Sequence, residues 1–127
     1  MSTDEKTQRI FETTDYQGYP VVLSRITWHT KAGNETKEGT HPEIRDYLGD
    51  IRNTIESPDI VFQSNSDDRS RIFYKLGAGR DDFKDKHLVV IVKYVDESDG
   101  LKGYVSTMYI TRSIYSKGVM LWIRMNR

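Results

Sequence analysis

Leu88-Val-Val-Ile-Val-Lys-Tyr-Val95 and Tyr104-Val-Ser-Thr-Met-Tyr-Ile-Thr-Arg112 decide the fold of this chain. The first is an almost unbroken run of β-branched and apolar residues, the pattern of a central strand covered on both faces. The second alternates: Tyr104, Ser106, Met108 and Ile110 are expected on one face, and Val105, Thr107, Tyr109 and Thr111 on the other. Asp96 to Gly103 between them is acidic and glycine-containing turn material, so the two strands should pair antiparallel. The face bearing Thr107, Tyr109 and Thr111, beside Arg112, is where function is expected.

Working outward, Ile60–Ser64 and Arg69–Leu76 read as two further strands joined by the turn Asn65–Asp68. In the second of these, Arg71, Phe73 and Lys75 share one face, and Ile72, Tyr74 and Leu76 share the other. Gly77–Lys86 is a charged loop, and Val119–Arg124 a last strand after the Ser116–Gly118 turn. On the N-terminal side, Thr40 followed by Glu43 has the form of a capping box. Apolar residues then recur at Ile44, Tyr47, Leu48, Ile51 and Ile55, which predicts one helix from Thr40 to Glu56, stopped by Pro58. Tyr19–Leu23 reads as a short strand. Ser24–Lys31 reads either as its continuation or as a short helix capped by Ser24. Residues 1–18 are expected to be a polar lead-in, and 19–127 a single α+β domain: N-terminal helices packed on a mainly antiparallel sheet of about five strands.

The 127 residues carry 19 basic and 19 acidic side chains, a balance that weighs against a general polyanion binder. The balance is locally uneven. From Leu101 onward there are Lys102, Arg112, Lys117, Arg124 and Arg127 and no acid, whereas 41–70 is predominantly acidic. Without cysteine there is no disulfide framework or thiolate site. No run approaches membrane-spanning length, and the polar first residues hold no apolar signal core, so a cytoplasmic chain with no membrane partner is expected.

The ordered motifs Ser24-x-x-x-Trp28-His29, His41-Pro-Glu-Ile44 and Ile51-x-x-Thr-Ile-x-x-Pro-Asp59 resemble the start of phage-associated nuclease domains of the barnase/EndoU/colicin/RelE-like type, the BECR fold. Arg71-x-Phe-Tyr-Lys75, Thr107-x-Tyr-Ile-Thr-Arg112 and Leu121-Trp122 continue the resemblance over roughly residues 20–124. It implies small RNA-cleaving, toxin-like proteins with helices on an antiparallel sheet, a helical reading of Ser24–Lys31, and a cognate antitoxin or immunity protein as partner.

Metal-independent RNA cleavage to a 2′,3′-cyclic phosphate needs a base for the 2′-hydroxyl, an acid for the leaving oxygen, and cations for the developing charge. His41, in the first turn of the predicted helix, is the leading base or acid, with an exposed capping-region histidine as its plain structural alternative. His29 is second, although Trp28 beside it suggests packing. His87 reads as solvated. Arg71 and Lys75 could hold phosphate. Thr107, Thr111 and Arg112 could form a contacting floor, and Tyr74 and Tyr109 could stack on bases; the alternative is an ordinary hydroxyl and aromatic ladder between strands. His41 and Glu43 lack a third ligand at metal spacing, and Gly77-Ala-Gly79 lies between strands rather than at a strand-to-helix phosphate loop, so neither a metal nor another cofactor is expected. Two further functions compete with catalysis: a non-catalytic RNA- or protein-binding domain, and a phage or mobile-element accessory protein acting through protein contacts.

Overall fold

A computed structural model describes residues 8–114 and 118–125. Its strands are β1 (Arg9–Thr14), β2 (Pro20–Ser24), β3 (Ile60–Gln63), β4 (Ser70–Lys75), β5 (His87–Glu97), β6 (Gly100–Thr111) and β7 (Met120–Ile123). The helices are α1 (Arg25–Ala32) and α2 (Leu48–Glu56), with tight 3-10 segments at Pro42–Tyr47 and Asp81–Phe83. All seven strands form one sheet in the order β1-β2-β6-β5-β4-β3-β7. Only β2 against β6 is parallel; every other neighbouring pair is antiparallel.

This corrects the expected architecture. In place of N-terminal helices on an antiparallel sheet of about five strands, the described residues form mostly a mixed seven-stranded sheet with two short helices. The added strand at one edge is β1, which lies within the stretch read as a polar lead-in. Its composition hides it: an edge strand needs only one covered face, and charged residues suit its open side. Ile10 is the extra residue of a bulge against β2, which breaks the alternation that would have betrayed the strand. Ile10 and Phe11 nevertheless pack onto the main core.

The predicted central pair is present. β5 and β6 pair from His87–Thr111 to Glu97–Gly100, and Leu88, Val89, Val90 and Val92 are fully buried. The expected alternation along β6 fails halfway, however. Val92 lies opposite Val105 and Ile91 opposite Thr107, so Ser106 is a bulge residue. The extra residue reverses the facing of everything before it. Val105 therefore joins Met108 in the main core rather than sharing a face with Thr107 and Tyr109.

Ser24 caps α1, its hydroxyl accepting from Thr27 N–H at 3.2 Å. The predicted Thr40–Glu56 helix is instead a 3-10 segment running into α2, and the Thr40–Glu43 capping box does not form. The backbone explains this. Thr40 N–H donates to Thr30 C=O at 3.1 Å and His41 N–H to Lys31 C=O at 2.7 Å, so the end of α1 fixes both residues. His41 takes the cap position and makes no side-chain cap bond. The apolar stripe survives the change: Ile44, Tyr47, Ile51 and Ile55 are buried, and Leu48 packs beside them.

The sheet coils around this layer. The turn joining β1 to β2 reaches across to β5, β4 and β7, where Tyr16 meets Phe73 at 5.7 Å and Trp122 at 5.3 Å between ring centroids. The two outermost parts of the sheet thus approach each other over the main core. The opposite face holds a smaller cluster of Phe62, Tyr74 and Val89, with Ile72, Ile91, Tyr109 and Ile114 packed on it. Among the described residues, no helix is long and apolar enough to cross a membrane.

Candidate functional site

The nominated residues divide between the two faces of the sheet. Arg71 and Lys75 lie with Phe73 on the main-core face of β4, but at opposite ends, about 13 Å apart at strand rise. Each is already engaged. Arg71 donates to Gln17 Oε1 at 2.8 Å, and its guanidinium lies 4.5 Å from the Tyr94 ring centroid. Lys75 Nζ donates to Ser57 C=O at 2.9 Å, closing the C-terminal end of α2.

Thr107, Tyr109 and Thr111 lie on the other face, along the second half of β6. Thr107 stands opposite Ile91, and Thr111 opposite His87. Tyr74 is also on this face, but it is only 1% exposed and packs edge-on against Phe62 at 5.9 Å. A base could not stack on it without opening the core.

His41 reaches this group from the edge of β6. Its ring centroid is 5.5 Å from that of Tyr109, inclined by 31°, and Nδ1 is 3.4 Å from Glu43 Oε2. A carboxylate there can orient the imidazole and leave Nε2 for a ligand. Thr111 is occupied locally, its hydroxyl donating to Ser113 C=O at 3.2 Å. Arg112 is exposed. His87 Nδ1 accepts from Gly77 N–H at 3.0 Å, which fixes its ring. His29 lies apart on α1, lining a shallow open hollow with Ile26, Thr30, Asn34, Lys37 and Glu38. The fold therefore brings His41 to Tyr109, with Thr107 and Thr111 on the same face of β6, and it puts Arg71, Lys75 and His29 elsewhere.

The uneven charge of the sequence is levelled in space. Lys102 pairs with Glu12 at 3.8 Å and Arg124 with Asp59 at 3.5 Å, while Lys117 and Arg127 lie outside the described residues. On the acidic stretch, Arg80 pairs with Asp50 at 2.9 Å and lies over Tyr47 at 4.2 Å. Among the described residues no group of three or more metal-binding side chains comes together.

The chain matches no family model, no curated protein and no solved structure. The site must be read from its own geometry.

Two features escaped sequence reasoning. The first is a buried polar knot. Asp15 accepts the Tyr94 hydroxyl at 2.6 Å through Oδ2, and Gln17 and Tyr19 N–H through Oδ1 at 2.8 and 3.0 Å. Burial, and then the carboxylate as hydrogen-bond partner, push the Tyr94 phenol well above its ordinary pKa. A turn signal was present in Asp15-Tyr-Gln-Gly18, where Gly18 adopts φ 93°. The second is the position of β7. It was legible as a strand, but not as the outermost strand of the sheet. All four of its residues are exposed, Trp122 at 42% and Met120 at 48%.

Proposed function

We propose that this chain is a non-catalytic domain that works through protein contacts, with β7 as its contact element. The observation that carries this reading is the chemistry of that edge. From Gly118 to Ile123 there is no charged residue, the side chains are exposed, and the outer side of β7 has no partner strand among the described residues. A row of free backbone donors and acceptors flanked by apolar side chains is suited to strand addition. β1 at the other edge contrasts with it. There Arg9 pairs with Glu12, and Glu12 with Lys102, charges that hinder pairing with another strand.

Site-specific photo-crosslinking tests the reading. A photoreactive side chain at Leu121, introduced in the cell that makes the protein, is expected to capture protein. The same group at Thr36, in the exposed loop after α1, is expected to capture little. Equal or absent capture at the two positions would overturn the reading.

A second reading, metal-independent RNA cleavage, keeps some support from the His41–Glu43 contact beside Tyr109. It would have to work without Arg71 and Lys75, whose bonds to Gln17 and Ser57 hold them on the other face.

A further inference from the structure

We infer that the partner seated on β7 is a second copy of this chain, paired antiparallel about a two-fold axis so that the two sheets become one. The inference rests on β7 being the contact element and adds the identity of its occupant.

Self-complementarity is the first argument. An antiparallel strand of the same sequence sets Val119–Ile123 against itself, apolar against apolar. The first charge met is Arg124, whose guanidinium is already turned inward, donating to Ser57 C=O at 2.8 Å and pairing with Asp59. The chain as a whole is neutral, so two copies approach without net repulsion.

Closure is the second. The guarded β1 edge discourages β7-to-β1 stacking, which would propagate into filaments, whereas β7 against β7 is isologous and stops at two.

Area is the third. Val119, Met120, Leu121, Trp122, Ile123 and Met125 are between 42 and 80% exposed. Covering them on both copies would remove roughly 1,000 Å² from water, near the lower bound for a specific interface. Leu121 is a bulge residue against β3, which shortens the regular edge. A weak dimer follows, with dissociation in roughly the micromolar range.

Sedimentation of the purified chain over roughly three decades of concentration, from micromolar upward, tests this. The expected result is a reversible monomer–dimer equilibrium that Leu121→Lys and, separately, Ile123→Lys each shift at least tenfold toward monomer. Both side chains are exposed, so the thermal midpoint measured at concentrations where the parent is monomeric should hold for both variants. A monomer at every concentration would overturn the second-copy inference. A dimer indifferent to both substitutions, or open-ended growth, would do the same. In each case crosslinking at Leu121 to a different protein would leave the contact reading standing, and its absence would remove both.

Discussion

The residue whose surroundings say most about how the chain is held together is Tyr94. Its hydroxyl and the Asp15 carboxylate form a buried bond between the β1–β2 turn and the central strand, and Arg71 lies across the ring. Replacing Tyr94 with Phe leaves one carboxylate oxygen of Asp15 buried without that donor, a loss of about 1–3 kcal/mol. The pH behaviour has a definite sign. The folded state raises the phenol's pKa above that of the unfolded chain, near 10, so this contribution is complete below about pH 10 and is lost as the pH rises further. Urea midpoints measured between neutral and strongly alkaline pH should therefore fall less steeply for Tyr94→Phe than for the parent chain. Parallel profiles would mean that the bond does not bias the phenol. None of this was legible in the sequence. Asp15 and Tyr94 are 79 positions apart, and hydrophobic patterning carries no information about a polar pair.

Among the elements, α2 and its 3-10 lead-in show what periodicity can and cannot deliver. The stripe Ile44, Tyr47, Ile51 and Ile55 was readable because burial follows helical spacing, and all four are buried. The type of the first turns was not readable, because contacts to the end of α1, outside the local sequence, decide it. Ile51→Ala, at a position with no exposure, should cost ~2–5 kcal/mol in denaturant unfolding. A loss below half a kcal/mol would place the stripe on the wrong side of the helix. β6 carries the same lesson for strands. One bulge residue, Ser106, reversed the facing of Val105, and a period of two gives no warning of an insertion. β1 was missed because polar edge strands and lead-ins share a composition, and the resemblance to helix-first nuclease domains reinforced that reading.

At the scale of the whole molecule, the coiled sheet separates residues that the sequence reading grouped. Arg71 and Lys75 serve the turn and the helix end on one face; His41, Tyr109 and Thr111 stand at the other face and its edge; the exposed apolar surface collects on β7. A phosphodiesterase without metal needs base, acid and cation within reach of one phosphate. That dispersal favours contact over turnover. The most direct test is incubation of the purified chain with single-stranded and structured RNA in EDTA, followed by analysis of the products. The account predicts intact RNA, from the parent chain and from His41→Ala alike. Cleavage to a 2′,3′-cyclic phosphate that His41→Ala abolishes without loss of thermal stability would contradict it.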